Sequence, residues 1–189
     1  MIAVNDAYLV APFADICYFA DSEWWGWHSR GIAKPKLGLT AEQVRERFAA
    51  FAGEKCSIQN SGANVEDPSV HLLRNKNFPA HGSGISLDPE CLMSGGNSGW
   101  QAINLAVLAG AKTVLLLGYD AREPASGRDS HWFGEHPKRA PADAYAKYRQ
   151  ACKAGAPSLK AADVRVINCS PGSAIDAFER LDLAQALRL

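Results

Sequence analysis

The chain has 189 residues, 47% of them hydrophobic and 21% charged, with Lys+Arg 20 against Asp+Glu 20. That length fits one domain with a core large enough to need no disulfide or metal staple, and the composition is that of a folded globular protein. Zero formal net charge argues against a protein built to hold nucleic acid or anionic lipid, while leaving room for a local basic site.

No stretch reaches the ~20 apolar residues of a membrane helix. The opening segment carries Asp6 and Asp15 and no basic flank, so it does not read as a signal peptide. Cys17, Cys56, Cys91, Cys152 and Cys169 form no CxxC pair. They read as small buried hydrophobes of a cytoplasmic protein.

Residues 2–4 form a short apolar run closed by Asn5-Asp6, a strand and turn. Residues 15–20 give a second strand. A helix then starts at Ser22, capped by Ser22 or Asp21, where Trp24, Trp25 and Trp27 crowd together. These tryptophans suit a sugar- or base-stacking platform, or more simply a core. Residues 40–52 form an amphipathic helix, with Thr40 and Gln43 as a capping box, Val44, Phe48 and Phe51 on one face, and Gly53 as the stop. Strands are expected at residues 56–59 and 70–73, with loops at 60–69 and 75–86.

The second half is more regular. The run Ser-Gly-Gly-Asn-Ser-Gly at 94–99 leads into a helix over residues 100–109, apolar nearly all round and therefore buried. Residues 113–117 (TVLLL) read as a strand of a parallel sheet covered on both faces. A long polar loop from 121 to about 141 precedes a helix over 142–154 with Tyr145, Tyr148 and Cys152 on one face. A buried strand at 164–168 follows, then short helices containing Ile175 to Phe178 and Leu183 to Leu187. This alternation predicts an α/β fold, a single Rossmann-like domain over 1–189 with a mostly parallel sheet and helices on both faces.

Ligands of such sheets bind beyond the carboxyl ends of the strands. Asn5-Asp6, Asp21, Gly118-Tyr119-Asp120 and Asn168-Cys169-Ser170 are expected there. The 94–99 run enters its helix from the N-terminus, an anion or phosphate site in which Asn97 or Ser98 caps and glycines permit close approach. It is neither a Walker A motif nor GxGxxG. The loop Asp129-Ser130-His131-Trp132-Phe133-Gly134-Glu135-His136-Pro137-Lys138-Arg139 gathers histidines, acids and bases. A neutral His there suits a general base and an Arg or Lys suits an anion; a metal or a purely structural role are the alternatives, although the spacing is not HExxH. Asp120 fits a ribose contact or a turn cap. His28, His71 and His81 lack such neighbours and read as structural.

At these motifs the sequence resembles the bacterial sialyltransferase family that includes the Campylobacter lipooligosaccharide enzymes. The resemblance rests on Asn97-Ser98-Gly99 before the buried helix, TVLLLGYD, SHWFGEH and VINCSPGSAIDAF, with IAVNDAYLVAPFADICYFAD similar to that family's second strand. The same layout recurs in methanopterin-pathway pyrophosphokinase-like proteins and in phage and prophage proteins, which the chain resembles most closely as a whole. The resemblance covers roughly residues 2–25 and 94–187.

It implies a Rossmann-like domain that takes a sugar from a CMP-type nucleotide donor. Carried over by position, Asn5, Ser98 and Gly99 contact the nucleotide, Asp120 lies beside its phosphates, and His136, or His131 in the alternative alignment, is the general base; Asn97 at the helix start and Ser170 at a strand end are further candidate nucleotide contacts. The family's first strand and Gly-x-Gly-Pro-Ser loop have no counterpart before Ile2, which would leave an open sheet edge that invites a homo-oligomer. The tyrosines that hold the leaving phosphate are also missing, and Arg122, Arg128 or Arg139 is the candidate substitute.

The expected partner is a nucleotide or nucleotide-sugar, with no nucleic acid and no membrane span. No metal or cofactor is required, although a pyrophosphokinase-like version would use ATP and Mg²⁺. A non-catalytic nucleotide- or sugar-binding protein is the alternative.

Overall fold

A computed structural model describes residues 1–59, 65–76, 82–123, 131–137 and 141–189. The protein is α/β and its strands pair in parallel. The chain falls into two compact units. The first holds Met1–Arg74 and the described residues 131–137, and the second the described residues from Asn75 onward except those.

In the first unit, β1 (Ile2–Val4), β2 (Ile16–Phe19), β3 (Glu54–Gln59) and β4 (Val70–Asn75) lie side by side in sequence order. Ile2 pairs with Ile16, Ile16 with Glu54, and Lys55 with Val70. Parallel neighbours need crossovers. Here α1 (Ser22–Arg30) and α2 (Ala41–Ala49) both lie in the connection between β2 and β3.

The capping box that starts α2 forms as its sequence predicts. Thr40 Oγ1 accepts from the Gln43 N–H at 3.2 Å, and Gln43 Oε1 accepts from the Thr40 N–H at 2.9 Å. The helix stops at Ala49, short of Gly53, yet Val44, Phe48 and Phe51 are all buried as expected. They join Tyr8, Phe19 and Trp24 in one core. Trp24 is 2% exposed and stacks on Phe19 at 4.9 Å, so it is core rather than a stacking platform, while Trp25 and Trp27 are half-buried against the same cluster.

In the second unit, β5 (Cys91–Leu92) precedes α3 (Ser98–Leu108), and β6 (Thr113–Leu116), β7 (Arg165–Asn168) and β8 (Glu179–Arg180) form a parallel sheet in that order. The TVLLL segment was expected to be covered on both faces. Instead β6 is the first strand of its sheet, Val114 and Leu115 are half-buried, and Leu117 is 55% exposed.

Between β6 and β7 lies α4 (Ala144–Ala161), which ends seven residues beyond the expected 154 and runs through Pro157. Its close packing explains the length. Gly155 sits against Trp100, where a Cβ would come within 2.1 Å of the indole, and Leu159 is buried in the same cluster. The helix expected around Ile175 to Phe178 does not form. The Ala174 N–H is drawn to the Asp120 carbonyl, a tertiary bond, and the Ile175 N–H to Ser173 Oγ, a local turn bond, in place of helical ones. A short helix α5 (Leu183–Ala186) follows, capped by Asp182.

All five cysteines are buried and free. Burial pushes the Cys17 thiol up to about 12 and those of Cys56 and Cys152 to about 11. No described helix is long and apolar enough to cross a membrane.

Candidate functional site

The carboxyl end of β1 carries the densest chemistry in the first unit. Asn5 follows the strand with φ +52°, a left-handed conformation that asparagine tolerates better than most side chains. The chain thereby enters a 3-10 turn, Asn5–Leu9, which buries Asp6 at 1% exposure.

Asp6 is held from three sides. Its Oδ2 accepts from the Trp24 indole N–H at 2.9 Å, its Oδ1 pairs with the Lys34 ammonium, and His28 Nε2 lies 3.4 Å from the same oxygen. A carboxylate only accepts, so the His28 proton belongs on Nε2, and Nδ1 accepts from the Tyr8 hydroxyl at 2.7 Å. Lys34 is itself 2% exposed, and its backbone is pinned by two hydrogen bonds to Leu39, of 2.9 and 3.1 Å.

Electrostatics follow from this packing. Desolvation works against ionising Asp6, but hydrogen bonding and charge from His28 and Lys34 outweigh it and hold the carboxyl well below its usual range. Desolvation also lowers His28 in spite of Asp6, and raises Tyr8, which keeps its proton.

The segment 131–137 packs in the same unit. The Gly134 N–H donates to the His131 carbonyl at 3.0 Å, and Gly134 takes φ +107° to close that turn. Phe133 is buried and packs against both histidines. His131 stacks on it at 4.9 Å with 3° between planes, and His136 meets it edge-on at 4.9 Å. The histidine rings are 4.7 Å apart, and Trp27 lies 5.9 Å from His136. Lys34 Nζ stands 4.3 Å from the centre of the Phe133 ring, which ties this segment to the Asp6 cluster.

His136 Nδ1 is buried and has no hydrogen-bond partner among the described residues. Burial, helped by the charges of His131, Lys34 and His28, lowers His136 to about 4 against the pull of Asp6. Burial lowers His131 as well, outweighing Asp6 and Glu135. Both imidazoles are therefore neutral at pH 7, the form that accepts a proton.

The remaining candidates lie in the second unit. Asn97 caps α3, its Oδ1 accepting from the Trp100 N–H at 2.8 Å and its Nδ2 donating to the Gly95 carbonyl at 3.1 Å. Ser98 is half-buried at the first helical position. Gly99 accepts from the Tyr119 hydroxyl at 3.1 Å, and a Cβ there would stand 2.9 Å from the Tyr119 ring. Ser170 is 5% exposed, and its Oγ accepts from the Tyr119 N–H at 2.8 Å, so it braces the strand ends. Asp120 is exposed and bonds Ala174 through its backbone, and the exposed Arg122 lies beside Gly172.

Asn5, His131 and His136 thus belong to the first unit, and Asn97, Ser98, Gly99, Asp120, Arg122 and Ser170 to the second. Asp129, Ser130, Lys138 and Arg139, read together with the two histidines, lie outside the described residues, as does His81. Among the described residues no three His, Cys, Asp or Glu side chains are placed to hold a metal ion.

Lys34 and Phe133 join the site although neither stands out as a site residue in the sequence, and His28, expected to be structural, joins it too. No local pattern marks them, since Lys34 stands 28 positions from Asp6 in the chain and meets it only through the fold. No protein-family model matches the chain, and no curated protein or solved structure matches it either.

Proposed function

We propose that the protein is a nucleotide-dependent glycosyltransferase in which neutral His136 is the general base. The observation that carries this reading is the His136 ring itself. It is desolvated, its Nδ1 has no partner among the described residues, and it sits in a unit where β1 ends in a left-handed Asn5. Unusual backbone and perturbed titration both concentrate at functional sites.

In the reaction, His136 takes the proton of an acceptor hydroxyl. The hydroxyl oxygen bonds to the anomeric carbon of the donor sugar as the bond from that carbon to the nucleotide phosphate breaks. The nucleotide leaves with the electron pair. The resemblance to sialyltransferases supports a CMP-type donor.

The test is a binding and turnover panel with CMP, CMP-sialic acid, UDP, GDP and ATP, each with and without Mg²⁺. Binding of cytidine nucleotides and a turnover that falls by ~10²–10⁴-fold in His136→Ala, with binding retained, is the expected result. Unchanged turnover in His136→Ala overturns the base assignment. Mg²⁺-dependent binding of ATP alone points to pyrophosphokinase-like chemistry instead.

A second reading has its own support. The side chains of Asp6 and His28 are 0% exposed, so part of the polar cluster is sealed core. A nucleotide- or sugar-binding protein without catalysis fits that feature, and tight binding with no turnover in the wild type would favour it.

A further inference from the structure

We propose that Asp6 and Lys34 are positioning residues which act on His131 and His136 through the Phe133 ring. The inference rests on the reading of His136 as the base and deepens it. It comes from a continuous chain of contacts. The Asp6 carboxylate pairs with the Lys34 ammonium, that ammonium lies 4.3 Å from the Phe133 centroid, and Phe133 touches both imidazoles at 4.9 Å.

Each link has a physical reason. The aromatic face attracts the cation, so Lys34 fixes where Phe133 lies. Asp6 holds Lys34 in a place no lone ammonium would occupy, because an unpaired buried charge is costly. Phe133, stacked on one imidazole and edge-on to the other, favours the orientation each ring takes.

The pair also sets the local field. Among the described residues, the charged or titratable groups that bear on the two rings are Asp6 from the turn after β1, His28 from α1, Lys34 from the segment after α1, and Glu135 beside His136. Lys36 is also near, its Cβ 3.9 Å from where a side chain on Gly134 would begin. Of these, Asp6 and Lys34 are the ion pair buried with the rings, and they push in opposite directions: Asp6 favours the imidazolium and Lys34 disfavours it.

Opposite signs give a test that a merely structural role fails. Imidazole titrations of His131 and His136 are followed by NMR in the full chain, with no nucleotide present. Asp6→Asn keeps an acceptor for the Trp24 N–H but leaves Lys34 uncompensated, and the His136 midpoint is expected to fall. Lys34→Met keeps the bulk, removes the cation, and is expected to raise the midpoint by ~1 pH unit. Lys34→Arg restores a cation over the ring and is expected to return the midpoint toward the wild-type value.

If the pair only holds the fold together, Asp6→Asn and Lys34→Met both loosen the segment and move both histidines up toward 6.5; that result overturns the proposal, as do unchanged midpoints. Should the variants fail to fold, wild-type nuclear Overhauser contacts between Phe133 and the two imidazoles decide the matter. Their presence supports the proposal and their absence overturns it. The titration needs no donor, so loss of the transferase reading in a turnover assay leaves its outcome intact, and the converse holds too.

Discussion

The two units bury polar groups in opposite ways. In the second, the buried polar side chains are neutral and bonded to backbone. Asn104 accepts from the Ser86 and Met93 N–H groups at 2.8 and 3.0 Å and donates to the Ser86 carbonyl at 2.8 Å. Asn168 and Ser173 bond each other at 2.9 Å, and Ser173 donates to the Tyr119 carbonyl. In the first, the buried polar side chains include a carboxylate, an imidazole and an ammonium, those of Asp6, His28 and Lys34. Among the described residues, every buried polar side-chain atom without a well-formed hydrogen bond belongs to that unit: those of Asn5, Asp6, Trp25, His28, Ser29, Lys34 and His136. Neutral satisfied networks fix backbone geometry and ask for nothing more. A charged, incompletely bonded cluster is costly to keep, and that cost is the physical argument for placing the chemistry there.

The contrast breaks most visibly at its centre. Asp6→Ala leaves Lys34 buried without a counter-ion, and equilibrium denaturation should show a loss of ~3–5 kcal/mol. Asn104→Ala in the second unit orphans two backbone N–H groups but no charge, and the expected loss is ~2–3 kcal/mol by the same measurement. Gly155→Ala drives a methyl into Trp100 and is expected to cost ~1–3 kcal/mol without altering any titration. Thr40→Ala removes the α2 cap at ~1 kcal/mol, a fall of roughly 2–4 °C in Tm.

Acid sharpens the same comparison. His28, His131 and His136 have lowered values in the folded protein, so folding favours their neutral forms. That contribution is complete above the unfolded value of ~6.5 and is lost as pH falls from there through about 4, the folded value of His136. Below that range the loss continues as Asp6, held low by its partners, becomes protonated. Melting curves between pH 7.5 and 4 should show Tm falling below pH 6.5, and His136→Leu should flatten that slope. A pH-independent Tm over this range would contradict the lowered values of the three histidines.

Local chemistry was legible in the sequence. Thr40 and Gln43 announced α2, Asn97 announced the start of α3, and the apolar runs at 2–4, 56–59 and 164–168 became strands. What failed was decided elsewhere in the chain. The Ile175 segment lost its helix to bonds from Asp120 and Ser173, and α4 outran its predicted end because Gly155 and Leu159 bury against the Trp100 cluster. The site divides in the same way. The two histidines stood out by residue type, five positions apart on one loop. Asp6, His28, Lys34 and Phe133 come from separate stretches, and only the folded core puts them in contact.

The buried thiols turn the molecule into its own clock. Two of the five sit in the first unit and three in the second, all inaccessible and, for Cys17, Cys56 and Cys152, strongly protonated. A thiol reacts as thiolate, so an alkylating reagent can modify these sulfurs only while the surrounding structure is open. Mass-resolved labelling of Cys17 and Cys152 on one sample would therefore time the breathing of each unit separately, without any tag or engineered probe.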